Sequence, residues 1–403
     1  MKEMKYVTLV LILYTFFLSC LAENKKENSF TLTGRITEQH SGKIIITSYN
    51  ELSVYKTDTI KITNSEFTYK GFIEEPKQIE LEDENVNNKI RFWINPGIMH
   101  IKLVKGKYNS YELSGSKTED EQKEYAKLVE KSFENLQEVK YRLKILNLKI
   151  RNASDDKTKK YLESIVEPLE KEIYDKDEEL LSLSLLFIKS HPESYISLIK
   201  LSDIILKLDD NIISTISTDS LVKIFDGLDN NLKTGVSGNL VQKNLNKIIQ
   251  NSIGQYAPDF CATDINHQMI KLSSFKGENV VLLDFWASYC FPCRRSFYST
   301  KKLYQQFHAK GFDVIAIDMD SDEKDSWLKA IQKDSISMWH NVRISNSDSI
   351  KNTVSDIKDK YYVRSIPRKI LIDKNGIIVG NWIGTSEEIE REVAEKVQEM
   401  VNK

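Results

Sequence analysis

Two cysteines separated by two residues stand in the segment Ala287-Ser288-Tyr289-Cys290-Phe291-Pro292-Cys293-Arg294-Arg295. They follow Val280 to Trp286, a near-continuous apolar run interrupted by Asp284, which predicts a central strand buried on both faces and a strand-to-helix junction at the pair. At such a junction two thiols can close a small disulfide, the first exposed at the helix N-terminus and the second tucked one turn in. The helix dipole and the free backbone N–H groups stabilise a thiolate on the first cysteine, and motifs of this spacing lower a thiol pKa to roughly 3.5 to 7.5. Cys290 is therefore the candidate nucleophile. Zinc needs four ligands, and haem attachment needs a histidine directly after the second cysteine. The chain has no second C-x-x-C, Arg294 stands in the haem-histidine position, and His267, His308 and His340 show no ligand spacing, so no metal is expected. An inert structural disulfide and a redox pair are the two readings of the motif.

The elements that must position this pair belong to a multidomain chain. At 403 residues, 40% hydrophobic and 29% charged, it is too long for one ordinary domain and too apolar for disorder. Its 57 basic and 59 acidic side chains give a net charge of -2, which leaves no global positive field for phosphate and argues against a nucleic-acid binder. Four cysteines are too few to staple a chain of this size. From residue 251 onward, strand and helix signals alternate. Between residues 30 and 115, short runs rich in Ile, Val, Thr, Tyr and Phe, divided by turn formers, predict a small antiparallel β sandwich or barrel. Lys43 to Tyr49, Thr59 to Ile62 and Glu66 to Phe72 are its clearest strands; Asn64-Ser65 suggests a hairpin, and Asn95-Pro96-Gly97 suggests another. His40 and His100 are isolated and carry no constellation.

Residues 116–250 change period, with Tyr125, Leu128, Leu136, Val139, Leu143, Leu146 and Ile150 at helical spacings. This connector reads as two antiparallel helices: the first is broken at Asn152 to Asp156, and the second runs from Tyr161 to Ile188 with Pro168 as a candidate kink and His191-Pro192 as its stop. Its charged faces read as solvated surface.

Met1 to Ser19 has the layout of an export signal: Lys2 and Lys5, an apolar run from Tyr6 to Leu18, then a small residue. The run is shorter than the roughly 20 residues that span a bilayer. Phe17-Leu18-Ser19-Cys20 resembles a lipobox, which implies that Cys20 is lipidated and that residues 20–29 are a tether; a plain cleaved signal is the alternative. Either implies an exported protein facing an oxidising compartment.

The C-terminal segment is identified as a member of the thioredoxin-like thiol-disulfide oxidoreductases, in the exported branch related to cytochrome c maturation proteins. Gly254-Gln255-Tyr256-Ala257-Pro258-Asp259-Phe260 and Leu272 to Gly277 resemble that branch's opening. Asp284-Phe285-Trp286-Ala287 with the C-x-x-C is the most specific match, and Tyr362-Val363-Arg364-Ser365-Ile366-Pro367 looks like the loop whose proline is cis. The resemblance implies an α/β thioredoxin-like fold for residues 251–403, a redox-active disulfide and no other cofactor. It also implies a mechanism: Cys290 attacks a partner's disulfide and Cys293 then resolves the mixed disulfide. Asp284 matches the position that exchanges a proton with the second cysteine, a task suited to a carboxyl whose pKa is raised by an apolar site. Trp286 is expected beneath the active-site loop as part of the substrate-binding surface, and Ile366 and Pro367 against Cys290, where the backbone can pair with an extended substrate. Exported proteins with disulfides are the implied partners, and a membrane donor supplies electrons.

The departures from the family pattern are Arg368 after the proline, Tyr298 in place of a helix-bending proline, and Ser296 in place of an acidic residue. Arg294, Arg295 and Arg368 together suggest a basic rim that favours thiolate and acidic partners. Cys261 reads as a buried inert thiol. Upstream, Phe67-Thr68-Tyr69-Lys70-Gly71, Glu75-Pro76 and Asn95-Pro96-Gly97 resemble a β domain of unknown function found ahead of thioredoxin domains in exported lipoproteins, and Ser190 to Ser202 resembles its helical connector. That likeness implies a docking or spacer role only. Two functions of different class follow: an anchored oxidoreductase, or a non-catalytic envelope scaffold that uses the β domain and the thioredoxin fold for binding. A peroxidase is disfavoured because the proline-threonine context of such a cysteine is absent around Cys290.

Overall fold

The computed structural model describes residues 28–49, 55–84, 89–207, 216–319, 324–343 and 354–403. Cys20 and the apolar run before it lie outside the described residues. The chain divides into two compact units. One takes in the residues up to Glu138 with Ser182–Ile199 and Asp229–Val236; the other takes in Val139–Leu181, Lys200–Leu228 and Ser237–Lys403. The helical stretch is thus shared between both.

In the first unit eight strands form one curled sheet: β1 (Ser29–Thr37), β2 (Ser41–Tyr49), β3 (Tyr55–Thr63), β4 (Glu66–Phe72), β5 (Lys77–Asp83), β6 (Lys89–Ile94), β7 (Gly97–Val104) and β8 (Glu112–Ser114), in the order β6-β5-β2-β3-β4-β1-β7-β8. Strand alternation sends Phe30, Leu32 and Ile36 from β1, Ile90, Phe92 and Ile94 from β6, and Met99, Ile101 and Leu103 from β7 into one core. Asn64 and Ser65 both hold positive φ, 52° and 68°, and close the two-residue β3–β4 hairpin whose twist suits such turns. The Asn95-Pro96-Gly97 hairpin is a misreading. β6 pairs with β5, whereas β7 pairs in parallel with β1 and antiparallel with β8. Asn95 serves a different purpose there: its side-chain oxygen accepts from Ser116 Oγ at 2.7 Å and its amide donates to Thr118 Oγ1 at 2.8 Å, joining the strand end to the start of the helical stretch.

The helical stretch holds more pieces than the two helices read from sequence. α1 (Lys117–Asn152) is followed by α2 (Asp156–Glu163), α3 (Val166–Ser190), α4 (Tyr195–Lys207), α5 (Thr218–Asp226), α6 (Asn230–Thr234) and α7 (Val236–Gln250). The break at Asn152 is real, and Asp155 caps α2 by accepting from Thr158 N–H at 2.8 Å. Pro168 does not kink a helix. It lies in the first turn of α3, where N–H groups have no intrahelical acceptor and a proline removes nothing.

The second unit contains a five-stranded sheet ordered β13-β12-β11-β14-β15, from β11 (Val280–Trp286), β12 (Phe312–Asp318), β13 (His340–Arg343), β14 (Arg368–Ile372) and β15 (Ile378–Ile383). β11 runs parallel to β12 and antiparallel to β14. A two-stranded ribbon, β9 (Cys261–Thr263) with β10 (Met269–Lys271), precedes it. Helices α8 (Phe291–Phe307) and α11 (Glu387–Val401) pack on one face, where Val280, Leu282 and Trp286 meet Phe297, Val393 and Val397. On the other face Val281, Leu283 and Phe285 meet Phe260, Ile357 and Tyr361. All seven β11 residues are buried, and each aliphatic or Phe side chain so placed contributes about 1.5–3 kcal/mol. That doubly covered strand is the rigid support of the site. This arrangement of an antiparallel sheet domain, a helical region and a thioredoxin-like α/β domain matches the fold class read from sequence. α9 (Lys324–Asp334) and α10 (Val354–Lys360) complete the unit.

Candidate active site

At the end of β11 the chain turns through Ala287-Ser288-Tyr289, and Cys290 becomes the N-cap of α8. Its backbone N–H donates to the Ala287 carbonyl at 3.0 Å, and Pro292 occupies the first helical turn, where its fixed φ suits a helix start. Cys290 and Cys293 form a disulfide with a Cα–Cα separation of 5.3 Å, and Cys290 Sγ accepts from the Cys293 N–H at 3.3 Å. That N–H is one of the donors a helix leaves unsatisfied at its start, so the same contact would stabilise negative charge on Cys290 after reduction. Cys293 is fully buried. Cys290 is less open than the sequence suggested, at 8% exposure, because the ring-bearing neighbours Tyr289 and Phe291 take the surface at 73% and 72%.

Trp286 is fully buried and stands edge-on to Phe297, their rings 5.1 Å apart. As placed it lies wholly below the surface. It supports the loop from below, in the same core as Cys290 and Cys293. The Ile366–Pro367 peptide is cis, and Ile366 packs, half-buried, against that core. The Pro367 carbonyl accepts from the Gly384 N–H at 2.8 Å, which fixes the loop end to the segment after β15.

Asp284 is completely buried, and Lys369 of β14, directly across in the sheet register, donates to its Oδ2. Oδ1 has no hydrogen-bond partner. Burial raises the Asp284 pKa above the ordinary carboxylate value, and the Lys369 charge opposes that rise without cancelling it.

The basic rim is a second misreading. Arg294 binds Asp334 with two hydrogen bonds, Nε to Oδ2 at 2.6 Å and Nη2 to Oδ1 at 3.0 Å, and Nη1 reaches the Ser288 carbonyl at 3.2 Å. A guanidinium so occupied ties the C-x-x-C loop to the end of α9 and offers little free charge. Arg368 is buried in β14, and Arg295 alone of the three is exposed. Ser296 is buried, donating to the Cys293 carbonyl at 2.8 Å, while Tyr298 is exposed with the Lys302 ammonium 4.2 Å from its ring centre. Cys261 is free and half-buried, not buried, because it lies on the short β9–β10 ribbon.

Lys369, Asp334 and Ser288 are site residues that reading the motif missed. Only Lys369 left a signal: a lysine inside Ile366-Pro367-Arg368-Lys369-Ile370-Leu371-Ile372 must find a counter-charge if that run is a core strand.

With this geometry in place, the chain compares with known proteins as follows. Residues 253–380 match the AhpC/TSA family, and residues 30–122 match a domain of unknown function, DUF4369. Over 161 residues the chain is 32% identical to thiol-disulfide oxidoreductase ResA of Bacillus cereus, covering 40% of this chain and 87% of that protein. ResA of Geobacillus kaustophilus is 31% identical over 144 residues, 35% of this chain and 75% of that protein. A solution structure of a thiol:disulfide interchange protein from Bacteroides sp. is 29% identical with a TM-score of 0.32, covering 38% of this chain and 91% of that one.

Proposed function

Because the chain belongs to the thioredoxin-like thiol-disulfide oxidoreductases related to ResA, we propose that Cys290 and Cys293 are its catalytic pair and that it reduces or isomerises disulfides of exported proteins at an envelope membrane. The observation that carries this reading is the Cys290–Cys293 disulfide at the start of α8, with the Ile366–Pro367 loop against the same core.

Cys290 as thiolate attacks one sulfur of a partner disulfide. A mixed disulfide forms and the partner's other sulfur leaves as thiolate. Cys293 then gives up its proton to Asp284 and attacks Cys290 Sγ, restoring the Cys290–Cys293 disulfide and releasing the second partner sulfur. Two electrons pass from the dithiol to the partner. The pair itself is the redox group, without a further cofactor, and a membrane electron donor returns it to the dithiol. Ile366 and Pro367 hold an extended substrate segment beside Cys290, and the exposed rings of Tyr289 and Phe291 meet its apolar flanks. Lipid on Cys20 holds the chain at the membrane; no helix among the described residues is long and apolar enough to cross one. The N-terminal sheet domain serves as a docking or spacer module.

Reduction of insulin by the full chain with dithiothreitol as electron source tests this reading. Turbidity from the freed B chain is expected well ahead of the reductant alone. A rate equal to the reductant's own, from protein whose two cysteines cycle between thiol and disulfide, would contradict it.

A further inference from the structure

We infer that the outer face of α8 carries a docking strip for the exchange partner, made by Phe291, Arg295, Tyr298 and Lys302, and that the strip selects partners with acidic and apolar residues beside their disulfide. This rests on the exchange reading above.

The strip follows from helical spacing. Phe291, Arg295, Tyr298 and Lys302 stand at intervals of four, three and four residues. At 3.6 residues per turn and 1.5 Å per residue, they share an arc of about 60° and a length of about 16 Å. All four are exposed, while Cys293, Ser296, Phe297, Thr300 and Leu303 take the buried side. Tyr298 preserves the spacing. A proline, which the family pattern expects there, would bend the helix, and with tyrosine in its place α8 runs unbroken from Phe291 to Phe307.

Composition sets the strip apart from an ordinary solvated face. α8 contains Arg294, Arg295, Lys301 and Lys302 and no carboxylate. Asp334 holds two of these cations: its carboxylate binds Arg294, and its carbonyl accepts from Lys301 Nζ at 2.8 Å. The other two, Arg295 and Lys302, lie on the strip and alternate with rings that are 72% exposed at Phe291 and 65% exposed at Tyr298. Aromatic side chains and arginine are what protein interfaces concentrate. Lys302 Nζ stands 4.2 Å from the Tyr298 ring centre, so its ammonium is held in place before a partner arrives and less rotamer freedom is lost on pairing.

Position names the occupant. Phe291 lies between the two cysteines and next to Cys290, so a chain whose disulfide is under attack passes the head of the strip. An extended chain shows a side chain on one face about every 6.6 Å, and the strip alternates ring and cation at steps of about 4.5 to 6 Å. About five residues of extended partner therefore cover its length. Carboxylates on that segment meet Arg295 and Lys302, and apolar side chains meet the rings. An anionic lipid surface would find the same charges but brings no disulfide to Cys290.

Two synthetic peptides test the strip in the full chain, with dithiothreitol as electron source. Each is closed by one internal disulfide, and they differ only in carrying Glu or Lys at alternate positions beside the cysteines. At low ionic strength kcat/KM for the Glu peptide is expected to exceed that for the Lys peptide by about tenfold, mostly through KM, and the ratio should fall towards one as salt screens the charges. Arg295→Gln with Lys302→Gln should bring the ratio to about twofold or less. Arg295→Glu with Lys302→Glu should invert it, which the loss of a merely structural contact would not do. Both side chains are exposed, and a urea curve for each variant verifies the fold. Equal kcat/KM for the two peptides in the wild type, or a preference for Glu that survives charge reversal, overturns the strip and leaves the exchange reading standing. If that surviving preference accompanies lost binding to phosphatidylglycerol vesicles, the strip belongs to a lipid surface instead. A wild type that reduces neither peptide faster than dithiothreitol alone counts against the exchange reading, and the strip's role falls with it.

Discussion

Cys290→Ser is expected to leave a folded chain that no longer reduces insulin, with a loss on the order of 10⁴-fold or more, as when the nucleophile of a catalytic unit is removed. The size of the effect follows from the chemistry of the atom. A thiolate is the attacking species in exchange, and a serine hydroxyl in the same place remains protonated and forms no disulfide. Folding should survive because Cys290 is a cap as much as a core residue: serine oxygen accepts well from the backbone N–H that now bonds to Cys290 Sγ. The measurement is the insulin rate beside a urea unfolding curve. Retained reduction would mean that another sulfur attacks, and half-buried Cys261 is the one to replace next.

Phe297→Ala carries the largest expected effect on stability. Phe297 is 1% exposed and stands edge-on between two indoles, 5.1 Å from Trp286 and 5.5 Å from Trp339. Truncation removes the ring from both contacts and leaves a cavity that the doubly covered sheet cannot collapse to fill, so about 3–5 kcal/mol of the second unit's stability should be lost. Against a typical total of roughly 5–15 kcal/mol that is a large share. Four of the five tryptophans, at positions 286, 327, 339 and 382, lie in the second unit, so tryptophan fluorescence in urea follows it selectively. A lower midpoint with unchanged slope is expected. Because Phe297 lies one turn beyond Cys293 on α8, partial loss of exchange should accompany it. A midpoint within experimental error of the wild type would show that the three edge-on rings are not holding the helix.

How much could be read before folding depended on how local each signal is. The β11 run, the C-x-x-C at its end and the Asn64-Ser65 hairpin each lie within a few residues, where strand period, helix start and turn conformation are decided by neighbours. Features that join distant residues were readable only where a family resemblance carried them, as for the Ile366-Pro367 loop beside the core that holds Cys290. Asn95-Pro96-Gly97 has turn composition, yet β7 goes to β1, whose residues precede it by 67 positions, because register is chosen by the whole sheet and its core. Arg294 and Asp334 are 40 residues apart, and Asp284 and Lys369 are 85 apart. Motif reading therefore treated the arginine as free rim charge and missed the lysine. Pro168 misled for a smaller reason: its effect depends on whether it falls at the start of a helix or inside one, and the break at residues 164–165 has no proline or glycine to mark it.

Cys293→Ala bears most directly on the claim that Cys290 attacks partner disulfides and Cys293 resolves the product. Expressed as the full chain and trapped by acid quench, the variant should accumulate adducts that migrate above the free chain, vanish on reduction, and are lost when Cys290 is also replaced with Ser. An adduct-free Cys293→Ala chain, or adducts that persist in the double variant, would contradict the assignment of Cys290 as nucleophile.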